Sequence, residues 1–181
     1  KFPNYDKIDD FGSLLDKSER SIFFKKLDEE IEMFSKILEV GCGTGQLSIF
    51  LSRYQRQIFS IDLSIKSLEM GENFRKKNNI KNLFFLRMNL FNLFFIKEFF
   101  DVIISNGVLH HTENPRLAFI ELTKYLKKGG YIIIGMYHKY GRIYNKITKF
   151  LINTFGKSFK FLDKKTLDKN LSEEKRLAWF M

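Results

Sequence analysis

Five short apolar runs, each long enough for one strand, recur along the chain with helix-patterned stretches between them. They lie at 37–40 (ILEV), 58–61 (IFSI, closed by Asp62), 83–86, 101–104 (DVII) and 131–134 (YIII). Such runs leave no alternate positions for water, so both faces of the sheet they form must be covered, which is the habit of parallel sheets in α/β chains. The fold class that follows is a doubly wound, mainly parallel sheet with helices on both faces. Residues 46–54, the stretch SIKSLEMGENFRKKN, and residues 115–126 read as the covering helices. Lys127, Lys128 and Gly129 would supply the basic last turn and glycine stop of the last one. Before the first run, Phe23, Leu27, Ile31 and Phe34 recur at helical spacing, whereas residues 1–20 show little period. Three parts are therefore expected: an N-terminal helical cap over 1–35, an α/β core over 36–136, and a basic helical segment over 137–181.

The 181 residues, 44% of them hydrophobic, suffice for one domain with a sizeable core. No apolar run approaches the ~18 residues of a membrane span, and KFPNYDKIDD lacks the pattern of a signal peptide. A cytoplasmic location is expected, in keeping with the single cysteine, Cys42, which has no internal partner for a disulfide. No His/Cys/Asp cluster has metal-ligand spacing, and no metal is expected. The net charge of +10 is uneven: residues 137–181 hold 11 basic and 4 acidic side chains, so the excess bears on a partner or substrate of that segment.

The chemistry-bearing pattern begins with Gly41-Cys42-Gly43-Thr44-Gly45, which joins the first strand to the first covering helix. In a parallel sheet, ligands bind outside the carboxyl ends of the strands, and glycine there permits close approach to the backbone. The spacing is GxGxG followed by Gln46, not the GxGxxG of dinucleotide sites, and the Lys-Ser/Thr pair of a phosphate loop is absent. Glu39, two residues before the loop, would repel a pyrophosphate and suits a cationic amine or sulfonium, or a backbone amide held near them. Asp62 ends the second strand, where a carboxylate accepts both hydroxyls of a ribose; the competing assignment is a helix N-cap, a role Ser64 also fits. Together these residues describe a site for a nucleoside with a positively charged tail.

ILEVGCGTGQLS, IDLS, FDVIISNGVLHHTENP and LKKGGYIIIG, in that order, resemble the successive motifs of class I S-adenosylmethionine-dependent methyltransferases over roughly residues 36–136. The resemblance implies S-adenosylmethionine as cofactor, with Glu39, Gly41, Cys42, Gly43, Gly45 and Gln46 at the methionyl moiety. It further implies Asp62 at the ribose, Leu63 at the adenine, and Ser105 and Asn106 where the fourth strand ends against the methionine. The third motif usually carries an acid near the adenine amine; here the segment containing Asn89 and Leu90 offers an amide instead. Sheets of this family resemble seven-stranded arrangements closed by an antiparallel pair after strand five. Residues 137–181 offer no convincing strand, so the expectation is a chain whose final strands lie beyond Met181.

Methyl transfer needs an oriented acceptor, and a base only if the acceptor is protonated. His110 and His111, just past strand four, are the candidate catalytic residues; the alternative is that they cap or pack the loop that follows. Tyr137, His138 and Tyr140 follow strand five as candidate acceptor-pocket residues, or as loop anchors. Asn106-Gly107-Val108-Leu109 is not the Asn/Asp-Pro-Pro-aromatic loop used on planar exocyclic amines, and Cys42 lies in the cofactor loop rather than where a cytosine-attacking thiol would stand. A small-molecule acceptor is therefore expected. The alternatives are an RNA acceptor tracked by the basic C-terminal segment and a non-catalytic nucleotide- or partner-binding domain.

Overall fold

Strand pairing follows the apolar runs. In the computed structural model of the chain, which describes residues 10–19 and 21–136, the strands are β1 (Lys36–Val40), β2 (Gln57–Asp62), β3 (Leu83–Arg87), β4 (Phe100–Asn106) and β5 (Leu126–Gly135). All pairings are parallel, in the order β3-β2-β1-β4-β5. Side chains alternate across the sheet. Ile37, Ile58, Val102 and Ile104 therefore enter one core, while Leu38, Val40, Ile61 and Ile103 enter the other. The first core is closed by α1 (Phe11–Glu19), α2 (Ile22–Glu30), α3 (Gln46–Leu51) and α4 (Ile65–Lys77). The second is closed by α5 (Pro115–Thr123) and by Leu90 and Leu93 from the helix-free connection between β3 and β4.

Several boundaries differ from the sequence expectation for definite reasons. Helix α1 occupies part of the stretch read as aperiodic: Asp10 caps its start by accepting from the Ser13 N–H (2.8 Å) and hydroxyl (2.7 Å), and Leu14 is its buried anchor. In α2 the buried side chains are Phe24 and Leu27. Phe23 stays partly exposed, and Phe34 lies past the helix at a positive φ of 64°. Helix α3 stops at Leu51, ahead of Tyr54 and Gln55, whose φ values of 59° and 57° no helix contains. Lys127, Lys128 and Gly129 do not terminate α5; they lie in β5, where Lys127 Nζ meets Asp101 Oδ1 at 2.5 Å. Among the described residues no helix is long and apolar enough to cross a membrane. The basic segment 137–181, with Tyr137, His138 and Tyr140, lies outside the described residues.

One buried cation ties the helical layer to the sheet. Arg56, just before β2, is 1% exposed. Its guanidinium donates to the Asp28 carboxylate (2.5 Å) and to the carbonyls of Asp28 (2.8 Å), Ile31 (2.5 Å) and Glu32 (3.3 Å). These acceptors lie at and just beyond the carboxyl end of α2, where a cation also complements the helix dipole. Arg53 joins the group by donating to Asp28 (2.7 Å) and Glu19 (3.1 Å). Arg56→Met fills a similar volume without the charge and strands several carbonyls, so it is expected to cost about 3 kcal/mol in urea unfolding. A loss below about 1 kcal/mol would show that water replaces the guanidinium without penalty.

Candidate functional site

Parallel pairing brings all five carboxyl strand ends to one edge of the sheet. The loop 41–45 leaves β1 there and is fixed by backbone bonds to β2: the N–H groups of Gly41 and Cys42 both donate to the Ile61 carbonyl, at 2.8 and 3.1 Å. Gly41, Gly43 and Gly45 have φ of 70°, 56° and 75°, the left-handed region. Two of them also make room for a neighbour. A Cβ on Gly41 would lie 2.2 Å from Val108 Cγ2, in the loop after β4, and one on Gly45 would lie 2.3 Å from the Phe85 ring of β3. Gly43 differs, since a Cβ there would meet nothing within 4 Å, and its outer side is open.

Asp62, at the end of β2, holds this loop in shape. Its Oδ2 accepts from the Gly43 N–H at 2.8 Å and its Oδ1 from the Ser64 N–H at 2.8 Å. The N-cap of α4 is Ser64, whose hydroxyl accepts from the Ser67 N–H, so Asp62 is not the helix cap. Each Asp62 oxygen keeps a lone pair beyond these bonds. Leu63, next in the chain, is 62% exposed, an apolar side chain beside a carboxylate.

Glu39 is placed differently from a surface anion. It shares the face of Ile37, beneath α3, and is buried. Its carboxyl accepts from the hydroxyl and the backbone N–H of Ser48, and the Ser48 hydroxyl is bonded in turn to that of Ser60, Glu39's register partner on β2. Helix α3 has Gly45 as its N-cap, with no side chain to offer, so Glu39 serves its first turn from the strand below. Burial pushes the Glu39 carboxyl up from 4.5 to about 7 against the lowering effect of the Ser48 donors, and the Asp62 charge adds to the rise. The same burial, with both carboxylates nearby, pushes the Cys42 thiol up, so that it remains protonated and is no nucleophile.

The remaining candidates fall around this edge with unlike roles. Gln46 is buried at the first position of α3. The Asn89 side-chain carbonyl accepts from the Phe91 N–H at 3.0 Å, while Leu90 packs into the second core. Ser105 is fully buried with its hydroxyl unpaired among the described residues, and Asn106 is exposed, its amide lying over Gly135. His110 and His111 form a 3-10 turn, Leu109–His111, with ring centroids 4.0 Å apart; His111 is exposed and His110 half-buried. Among the described residues no group of three His, Cys, Asp or Glu is disposed to hold a metal ion.

Ser48, Ser60, Phe85 and Val108 were not anticipated. The signal for the serines was present: Ser60 has the strand parity that matches Glu39, and Ser48 follows the glycine loop by three residues.

Comparison with known proteins agrees with this architecture. Residues 38–134, more than half of the chain, match the sequence family described as a methyltransferase domain. The ubiquinone biosynthesis O-methyltransferase of Pelagibacter ubique is 31% identical over 104 residues, covering 58% of this chain and 42% of that protein. The demethylmenaquinone methyltransferase of Staphylococcus haemolyticus is 25% identical over 163 residues, covering 84% and 67%. A crystal structure of an S-adenosylmethionine-dependent methyltransferase from Aquifex aeolicus superposes with a TM-score of 0.57 at 20% identity, covering 68% of this chain and 71% of that one. Several of the matched relatives are considerably longer, the chain spanning 42% of the Pelagibacter protein.

The Glu39 environment has a measurable consequence. Its carboxyl is harder to ionise in the folded chain than in the unfolded one, so its contribution to stability is complete below pH 4.5 and is lost as pH rises through about 7. The loss is of order 3 kcal/mol. Urea unfolding of the wild type and of Glu39→Gln between about pH 5 and about pH 8 should show the wild type losing stability with pH relative to the amide variant. Parallel profiles would mean that the carboxyl titrates normally.

Proposed function

Because the chain belongs to the methyltransferase-domain family, in its class I, S-adenosylmethionine-dependent form, we propose that it transfers a methyl group to a small-molecule acceptor. The observation that carries this reading is the meeting, at one sheet edge, of the glycine loop, the Asp62 carboxylate pinned to Gly43, and the two adjacent histidines. Support for a small acceptor comes from the relatives, one named for ubiquinone biosynthesis and one for demethylmenaquinone.

The edge fits such a cofactor. The open side of Gly43 admits close approach to the loop, the unused lone pairs of Asp62 suit a ribose diol, and exposed Leu63 offers an apolar cover for a flat base. When bound, S-adenosylmethionine supplies a methyl group already activated by its sulfonium. What remains for the chain is to bind, orient and deprotonate. In this reading the backbone of Gly41, Cys42, Gly43 and Gly45, with Gln46, Ser105 and Asn106, holds the methionyl end, Asn89 and Leu90 border the adenine, and Asp62 fixes the ribose. An imidazole nitrogen of His110 or His111, both on the loop after β4, takes the proton that an acceptor hydroxyl or amine gives up.

Two measurements test this. Calorimetry with S-adenosylhomocysteine should show Asp62→Ala binding more weakly by about 1–3 kcal/mol, since charge-assisted bonds are lost and the loop loses its anchor. No binding by the folded wild type would remove the cofactor assignment. With quinol-like and phenolic acceptors, replacing both His110 and His111 by alanine should lower kcat by about 100-fold or more while leaving S-adenosylhomocysteine affinity within about twofold. An unchanged kcat would assign the histidines to loop packing.

A further inference from the structure

The groups around Glu39 are unbalanced in charge. It stands on the central strand, and the elements packed against it present Ser48 from α3, Ser60 and Asp62 from β2, Cys42 from the glycine loop and Ile104 from β4. Helix α3 carries no charged residue at all. None of the ion pairs among the described residues includes Glu39 or Asp62. Two carboxyl groups thus share one corner of the carboxyl edge, Asp62 half-buried and Glu39 buried beneath α3 with its bonds to Ser48 and, through it, Ser60. Like charges in such a corner are relieved either by a proton or by an external cation.

We propose that Glu39 reads the charge of the bound cofactor: its carboxyl holds a proton until a cation occupies the carboxyl edge and gives that proton to solvent as the cation binds. A sulfonium is thereby favoured over the neutral thioether left after methyl transfer. This rests on the cofactor assignment above and adds to it the way in which substrate and product cofactor are told apart. The balance is simple, since one O–H bond of the carboxyl breaks, the proton passes to buffer, and the incoming positive charge replaces it. The direction already given for the Glu39 carboxyl agrees with this exchange near neutral pH.

The test is calorimetry of the folded wild type with S-adenosylmethionine and with S-adenosylhomocysteine, each in phosphate and in Tris, buffers with unlike heats of ionisation. S-adenosylmethionine should release about half a proton at pH 7 and more at pH 6, and should bind about fivefold more tightly at pH 7 than at pH 6. S-adenosylhomocysteine should change by less than about twofold over the same interval. Glu39→Gln should abolish both the proton release and the difference between the ligands. If that variant does not fold, the buffer comparison on the wild type decides alone. Binding of both ligands without proton release, or with one shared pH dependence, would overturn the charge-reading role and leave Glu39 as the cap of α3. Failure of both ligands to bind the folded wild type would overturn the cofactor assignment as well.

Discussion

Parallel pairing is the constraint from which the rest of this molecule follows. Five strands running the same way send their carboxyl ends to one edge and their amino ends to the other, and the covered faces of the central strands form the two cores. The two edges are then treated in opposite ways. On the amino side the charges are matched: Asp101 accepts from the Lys36 N–H and pairs with Lys127, and Arg56 is enclosed by Asp28 and the carbonyls at the end of α2. On the carboxyl side Glu39 and Asp62 stand without a paired cation among the described residues, and burial together with the Asp62 charge makes Glu39 hard to ionise.

Side-chain size is divided between loop and sheet in a related way. The first turn of α3 must sit close against β1, β2 and β3, and bare backbone at Gly45 together with Gly71 of α4 admits the Phe85 ring. The cap that Gly45 lacks is supplied from below by Glu39. A residue that reads from the sequence as facing the ligand's cationic end is thus part of the core, and its titration is bound to the packing of the first helix.

The fold was legible because strand-sized apolar runs and intervening helical stretches are local signals, and all five strands formed where those runs stand. The helix stop read at Lys127, Lys128 and Gly129 failed because pairing with β4, and the Lys127 to Asp101 contact, outweighs a local basic-then-glycine pattern. Helix α1 was missed because its apolar residues, Phe11, Leu14 and Leu15, span little more than one turn, too short a stretch to show a period. In the site, the glycine loop and Asp62 were legible from spacing, whereas the inward turn of Glu39 was not. It depends on strand parity and on Ser48 and Ser60, which become its neighbours only once β1, β2 and α3 are assembled.

The contact between Gly41 and Val108 joins two loops that belong to different strands. With Val108 Cγ2 standing where a Cβ at position 41 would be, the loop after β1 and the loop after β4 share a single volume that one side chain already fills. The root of the β4 loop is thereby locked to the glycine loop: a side chain at position 41 would have to displace Val108, and with it the start of the turn that carries His110 and His111.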